Sequence, residues 1–162
     1  MDKKALLIRP AVAGEEEDIL FFIRKLAEYE HLEDEVTATA ELLHEWIIIK
    51  NRAEVLFAEV EGKKAGFALF FHNFSTFLGK AGIYLEDLFV RPEYRGMGVG
   101  SAMISALAQT ACERGCGRLE WACLDWNASS IAFYLSLGAK PMDDWTTYRV
   151  CGDMLKQLAQ RK

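Results

Sequence analysis

The stretch that decides the fold is LEDLFVRPEYRGMGVGSAM, residues 85–103. It begins as an apolar run typical of a buried strand, yet it carries two adjacent carboxylates, Glu86 and Asp87. A loop with glycine at every second position follows, and residues 100–115 then show the pattern of a helix that ends at a glycine. The sequence therefore predicts a strand, a glycine loop and a helix in succession.

Strand and helix patterns continue on both sides of this stretch. The predicted strands are residues 5–11, 54–62, 63–74, 81–90, 118–124 and 146–152, and the predicted helices are residues 14–32, 39–51, 100–115, 127–138 and 153–161. This order predicts an α/β fold with a mixed sheet. A length of 162 residues fits one domain over residues 1–162.

Local signals predict how several of these elements begin and end. Thr39 and Asn127 are expected N-caps, because a short polar side chain can accept a hydrogen bond from a first-turn amide. Gly138 is an expected C-cap. The first helix carries apolar residues at helical spacing, which predict its buried face: Ile19, Phe22, Ile23 and Leu26.

The composition argues against several classes of function. The net charge is −5 and no block of basic residues is present, which argues against a nucleic-acid partner. No apolar run approaches the ~18 residues of a membrane span, and the first ten residues do not resemble a signal peptide. We therefore expect neither nucleic acid nor a membrane as a partner.

The four cysteines show no CxxC pair and no histidine at metal-ligand spacing, so no metal site is predicted. Cys112 and Cys116 are four residues apart on a predicted helix and should share one face. Free thiols in a reducing compartment are the favoured interpretation over a disulfide. Together with the lack of a signal peptide, this predicts a cytoplasmic location.

The glycine loop, residues 95–100, is typical of a phosphate site. Glycine lets the backbone approach a ligand closely, and the following helix presents unpaired N–H groups and a positive dipole end. A Walker loop has a lysine between its last glycine and the following serine or threonine, whereas here Ser101 follows Gly100 directly. A dinucleotide-binding loop begins immediately after its strand, whereas here residues 91–95 separate the strand from the glycines. A glycine-rich turn without a ligand is the structural alternative.

The spacing Arg95-x-x-Gly98-x-Gly100 resembles the pyrophosphate loop of the GNAT superfamily of N-acetyltransferases. The segments YLEDLFV and YRGMGVGS, WNASSIAFYLSLGA, and LAEYEHLEDEV resemble those of its spermidine/spermine-, diamine- and thialysine-acetylating members. The similarity covers nearly the whole chain. It implies the GNAT fold, with a mixed and mostly antiparallel central sheet that is flanked by helices on both faces and splayed at an acetyl-CoA cleft.

The same resemblance implies acetyl-CoA as co-substrate, without a metal, and a set of residues that bind it. The pantetheine arm would lie along one strand segment, the pyrophosphate on the glycine loop, and a further part at the start of a later helix. These groups are Leu88, Phe89 and Val90; Arg95, Gly96, Met97, Gly98, Val99, Gly100 and Ser101; and Asn127, Ser129 and Ser130.

Acetyl transfer to an amine requires a base, because an alkyl amine with a pKa near ~10.4 is protonated at neutral pH. We expect Glu86 to be this base, directly or through a water, with Asp87 shaping the electric field. A carboxylate on a buried strand is costly unless it is paired or functional, and a salt bridge at the strand end is the alternative. Adjacent strand residues point to opposite faces unless a bulge intervenes.

The oxyanion and the leaving thiolate need donors. By resemblance, the backbone N–H of Leu88 stabilises the oxyanion and Tyr134 protonates the thiolate. A tyrosine with the usual pKa of ~10 keeps its proton at neutral pH, whereas simple helix packing is the alternative role. The resemblance places the acceptor pocket at the acidic end of the first helix, where Tyr29 and Glu30 would join Glu86 and Asp87.

The sequence departs from the polyamine enzymes near this pocket. Ser75 and Phe77 stand where those enzymes have aspartate and tryptophan, and a short segment with Asp143 and Asp144 replaces their late acidic segment. The implied acceptor is a small cationic molecule with a primary amine, such as a diamine, a polyamine or a lysine analogue. Two alternatives are a protein N-terminal or lysine acetyltransferase and a non-catalytic acetyl-CoA sensor. Relatives of this type are homodimers, so we expect a homodimer that packs through residues 146–152.

Overall fold

The computed structural model describes residues 5–162, so any expectation for residues 1–4 lies outside the described part. The chain divides into two compact units, of which one ends at Ala122 and the other spans Cys123–Lys162. A single domain over residues 1–162 stays a prediction.

The first unit is built on a five-stranded sheet. Its strands are β1 (Leu6–Pro10), β2 (Glu54–Val60), β3 (Lys63–Ser75), β4 (Lys80–Val90) and β5 (Leu119–Trp121). Its helices are α1 (Glu16–Glu30), α2 (Ala40–Leu43), which continues as a π-helical turn (His44–Ile49), and α3 (Val99–Glu113). The strand order follows the chain, and every neighbouring pair is antiparallel except the parallel pair of β4 and β5. The predicted mixed, mostly antiparallel sheet is confirmed.

One hydrophobic cluster joins α1 to the sheet. Ile19 and Phe22 are each 1% exposed, and the ring of Phe22 stacks on that of Phe67 with 5.3 Å between centroids. Ile23 and Leu26 pack against the same cluster. The predicted buried face of α1 is therefore confirmed, and it fixes the end of this helix next to β4.

The sheet is covered on both faces at β4. Phe89 belongs to the cluster under α1, where it lies opposite Phe67 in the strand register. Leu85 lies opposite Phe70 in the register, and both side chains point to the face of the sheet away from α1. Leu85 is only 2% exposed, so this face is covered as well. This explains why β4 has apolar residues in nearly every position.

Two predicted ends of elements agree with the structure, whereas the prediction for the helix face of Cys112 and Cys116 is wrong. The Thr39 hydroxyl oxygen accepts a hydrogen bond from the Leu42 amide at 3.2 Å and caps α2. Gly115, at φ +70°, follows the end of α3. Because α3 ends at Glu113, Cys116 lies beyond it, so the prediction that Cys112 and Cys116 share a helix face is wrong.

The second unit contains α4 (Ala128–Ser136) and α5 (Gly152–Ala159). Asn127 caps α4 by accepting from the Ser130 amide at 3.4 Å, and Gly138 follows at φ +88°, both as predicted. The predicted strand over residues 146–152 is wrong, since residues 146–151 form neither strand nor helix. The β-propensity of threonine, tyrosine and valine is realised only when a neighbouring strand supplies hydrogen bonds.

Within residues 5–162, no helix is both long and apolar enough to cross a membrane.

Candidate active site

Glu86 occupies a β-bulge in β4. In the ladder between β3 and β4, Asp87 lies opposite Leu69 and Leu85 lies opposite Phe70, so Glu86 has no cross-strand partner. A regular strand would place Leu85 and Asp87 on one face, but here they lie on opposite faces. The sequence left open whether a bulge interrupts the regular alternation of faces at Glu86 and Asp87, and the structure shows such a bulge at Glu86.

Asp87 is the most perturbed carboxylate of the site. Desolvation by burial, followed by the charges of Glu86 and Glu30, raises its pKa to about 6. Glu30 ends α1, and burial raises its pKa as well. Among the described residues, no positive charge contributes to either shift. Asp87 therefore experiences the repulsion of two neighbouring carboxylates, which an incoming cation would relieve.

The β4 backbone becomes open on one side at the bulge. The parallel ladder between β4 and β5 ends with Leu85 opposite Trp121. In the part of the first unit that the structure describes, no strand continues this pairing along residues 86–90. The side chain of Phe89 is 6% exposed within the core, so at this position the backbone is what a ligand can reach. Leu88 and Val90 are half-buried.

The glycine loop connects β4 to α3. Gly96 and Gly98 have φ angles of +76° and +81°, and a Cβ built at either position meets nothing within 4 Å. Gly98 is the N-cap of α3, whose first N–H groups have no partner within the helix. The side chain of Val99 is buried, while Met97 and Ser101 are exposed. This arrangement fits a phosphate group held by backbone amides.

Arg95 lies where the glycine loop meets the end of α1. Its guanidinium carbon is 5.3 Å from the ring centroid of Tyr29 and 5.4 Å from that of Phe89. Its Nε donates a hydrogen bond to the carbonyl oxygen of Val90 at 3.0 Å. The first unit thus brings the predicted cofactor loop together with Tyr29 of the predicted acceptor pocket.

The remaining predicted residues belong to the second unit. Tyr134 is half-buried on α4, with its ring centroid 5.6 Å from that of Phe133. The Ser129 hydroxyl donates to the Asn127 side-chain oxygen at 3.4 Å. Asp143 and Asp144 are exposed in a turn. The roles of these residues at the cofactor or the acceptor stay predictions.

The two positions that depart from the polyamine enzymes carry no charge into the site. Ser75 is 7% exposed, and its hydroxyl oxygen accepts from the Leu78 amide at 3.2 Å in the turn after β3. Phe77 in the same turn is fully exposed. The negative charge of the first unit's candidate site therefore comes from Glu30, Glu86 and Asp87.

Sequence reasoning missed Tyr84, two residues before the bulge. Burial, then the charges of Glu86 and Glu120, raises the pKa of its hydroxyl. Its ring centroid is 5.3 Å from that of Phe71. The sequence shows only that it lies two residues before Glu86, which does not reveal its burial. In residues 5–162, no group of three or more histidine, cysteine, aspartate or glutamate side chains could hold a metal ion.

A separate cavity of about 390 Å³ lies between the start of β2 and the middle of β3. It is lined by Asn51, Arg52, Ala53, Glu54, Phe71, His72 and Arg114, none of which belongs to the predicted site. Within it, both terminal nitrogens of Arg114 donate to the Glu54 carboxylate, at 2.6 and 2.8 Å.

Known proteins resemble this chain in sequence and in fold. Residues 19–139 match the model of the acetyltransferase (GNAT) family. A thialysine N-epsilon-acetyltransferase from Sus scrofa is 38% identical over 167 residues, which covers 96% of this chain and 98% of the relative. An L-ornithine N5-acetyltransferase from Arabidopsis thaliana is 44% identical over 94 residues, or 58% of this chain and 41% of that protein. An integron cassette protein from V. cholerae superposes with a TM-score of 0.79 at 26% identity, over 96% of this chain and 98% of its own.

Proposed function

The chain belongs to the acetyltransferase (GNAT) family and is an acetyl-CoA-dependent N-acetyltransferase, and we propose that its acceptor is a small cationic molecule with a primary amine. The observation that supports this acceptor is the group of three carboxylates, Glu30, Glu86 and Asp87, in which burial and then the two neighbouring charges raise the pKa of Asp87. A protonated amine entering this group would relieve the repulsion, whereas a neutral or acidic acceptor would not.

The open segment of β4 and the glycine loop would bind two consecutive parts of acetyl-CoA, the pantetheine arm and the pyrophosphate. The backbone of Leu88, Phe89 and Val90 would line the pantetheine arm, and residues 95–101 would hold the pyrophosphate. Asn127, Ser129 and Ser130 at the start of α4 would provide further contacts. The left-handed glycines leave the space above the loop free, which is the feature of this chain that favours a phosphate there.

Three residues would handle charge and protons during transfer. Glu86, exposed at the bulge, would take the proton of the amine, directly or through a water. The N–H of Leu88 would donate to the carbonyl oxygen as it gains charge. Tyr134 would donate its proton to the leaving thiolate. Asp87 and Glu30 would hold the cationic acceptor beside Glu86.

The acceptor is expected to be short. Ser75 is occupied in a turn and Phe77 points into solvent, so the spaced charges that a long polycation needs are missing at these positions. The named acceptors of the two curated relatives above, thialysine and ornithine, are small amino acids with an amine at the end of the side chain. A lysine analogue or a diamine is therefore our first choice, and spermidine follows.

An acetyl-CoA turnover assay over a panel of acceptors tests this proposal. The panel contains diamines, basic amino acids, spermidine, peptides with free N-termini and lysine-containing peptides, and the readout is free CoA. Turnover of the diamines or basic amino acids is the expected result. Turnover restricted to peptides would indicate a protein acetyltransferase, and tight acetyl-CoA binding with no turnover on any acceptor would indicate a sensor.

A homodimer in the cytoplasm is also part of the proposal. Residues 146–151 have the composition of a strand but form none, and Trp145, Tyr148 and Val150 are 77%, 91% and 43% exposed. A second copy of the chain would cover these apolar groups and offer hydrogen bonds to the segment. Sedimentation at micromolar concentration should give a dimer, and a monomer would contradict the proposal.

A further inference from the structure

Arg95 contacts both the end of α1, at Tyr29, and the end of β4, at Phe89 and Val90. Its guanidinium carbon lies within cation–π distance of two rings, 5.3 Å from the centroid of Tyr29 at the end of α1 and 5.4 Å from that of Phe89 in β4. Its Nε is held by the carbonyl oxygen of Val90 at 3.0 Å, so the direction of the side chain is fixed from the strand. Tyr29 in turn packs against the cluster under α1.

The shape of a guanidinium allows both contacts at once. Its flat faces stack on aromatic rings, while its edges carry the N–H groups that pair with phosphate. In Arg95 the hydrogen bond to Val90 uses Nε, so the two terminal nitrogens are the ones that can reach an anion on the adjoining loop. A lysine would keep the charge but could not stack and donate in this way.

On the basis of the proposed function, we propose that Arg95 is a positioning residue that links the acetyl-CoA loop to Tyr29 of the acceptor pocket, so that cofactor and amine bind cooperatively. A phosphate held by the guanidinium edge would fix the guanidinium plane, and that plane would fix the ring of Tyr29. Because coupling between two ligands is reciprocal, bound acetyl-CoA should tighten amine binding by the same factor as bound amine tightens acetyl-CoA binding. A change at Tyr29 removes the contact with Arg95 and should therefore also weaken the hold of Arg95 on the cofactor.

Calorimetric titration with acetyl-CoA alone tests the link, since it needs no turnover. The Tyr29→Leu variant removes the ring and should bind acetyl-CoA about 3- to 5-fold more weakly, in line with one cation–π contact at a partly exposed site. The Tyr29→Phe variant keeps the ring face and should bind within about twofold of the unmodified chain. In an Arg95→Lys background, Tyr29→Leu should cause no further loss.

Arg91→Lys is the matched control. The guanidinium of Arg91 also lies over an aromatic ring, that of Phe21 at 5.4 Å, but it pairs with Glu93 and belongs to no part of the proposed site. This variant should bind acetyl-CoA normally. Thermal unfolding checks that each variant is folded, because Tyr29 packs against the core.

A kinetic measurement covers the case in which Tyr29→Leu does not fold. At saturating acetyl-CoA, Arg95→Lys should raise the KM for the amine about 3- to 5-fold with a smaller change in kcat. Any one of three results would contradict the link between Arg95 and Tyr29 without contradicting the proposed function. These results are unchanged acetyl-CoA affinity in folded Tyr29→Leu, additive losses in the double variant, and an unchanged amine KM in Arg95→Lys. Failure of the unmodified chain to bind acetyl-CoA would overturn the proposed function itself.

Discussion

Glu86 has no partner in the ladder between β3 and β4, whereas the adjacent Asp87 lies opposite Leu69. The bulge makes Glu86 the exposed carboxylate and leaves Asp87 half-buried, at the point where the pairing of β4 with β5 has ended. Two neighbouring acids thereby gain different environments. Under the proposed function, the exposed Glu86 would act as the base and Asp87 would help to hold the cationic acceptor.

Replacing Asp87 by asparagine should stabilise the fold at neutral pH. The folded-state pKa of Asp87 is about 6 against an ordinary value of 3.8, so the folded chain loses stability as the pH rises from about 3.8 to about 6 and keeps that loss above it. Asparagine cannot ionise, so the variant avoids this loss, which amounts to about 3 kcal/mol in the free energy of unfolding for a pKa raised from 3.8 to about 6. Urea unfolding between about pH 5 and pH 8 should show an advantage for Asp87→Asn that grows and then levels off near pH 7. A difference that is constant over this range would contradict the raised pKa.

Two glycines at opposite ends of α3 provide a matched test of the cofactor loop. Gly98 and Gly115 have φ angles of +81° and +70°, and a Cβ at either meets nothing within 4 Å. Alanine at each position should therefore cost a similar free energy of unfolding, about 1–2 kcal/mol. Only Gly98→Ala should also weaken acetyl-CoA binding, because its Cβ enters the phosphate site. Equal acetyl-CoA affinity of the two variants by calorimetry would remove the loop from the cofactor site.

Replacing Tyr134 by phenylalanine keeps the ring and removes the proton. Turnover should fall by roughly 10²- to 10⁴-fold, the usual effect of a lost general acid, with little change in acetyl-CoA affinity. Tyr148→Phe is the control, since Tyr148 lies in the same unit and has no proposed role in acetyl transfer. Steady-state kinetics under conditions where chemistry limits the rate should separate the two. Wild-type turnover in Tyr134→Phe would leave Tyr134 with a packing role.

The parts of the fold that short-range patterns specify were predictable. The buried face of α1, the caps Thr39 and Asn127 and the glycine that follows α3 depend on neighbouring residues, and the structure confirms them. The bulge at Glu86 was not predictable, because register depends on how two distant strands pair. The strand expected at residues 146–152 failed for the same reason, since strand formation needs a partner.

The candidate site follows the same division. The glycine loop and the acidic positions could be read from the sequence, as their chemistry is carried by residue type and spacing. The raised pKa of Asp87 and the contact of Arg95 with Tyr29 could not, because the first depends on burial and on Glu30, and the second joins residues that are distant in the chain. Tyr84 was missed because its perturbed hydroxyl depends on burial and on Glu86 and Glu120, which only the folded sheet reveals.

The most direct test of the central claim is a pair of pH–rate profiles, for the unmodified chain and for Glu86→Gln, with the best amine of the panel. Between about pH 7 and about pH 10, the unmodified enzyme should become faster as more of an amine with a pKa near ~10.4 is uncharged. Glu86→Gln should lose most of its turnover, roughly 10²- to 10⁴-fold, at neutral pH and recover in part at high pH, where the amine loses its proton to solvent. If the variant loses the same factor at every pH, and the unmodified enzyme prefers neutral or acidic acceptors, then both the role of Glu86 as base and the cationic acceptor are contradicted.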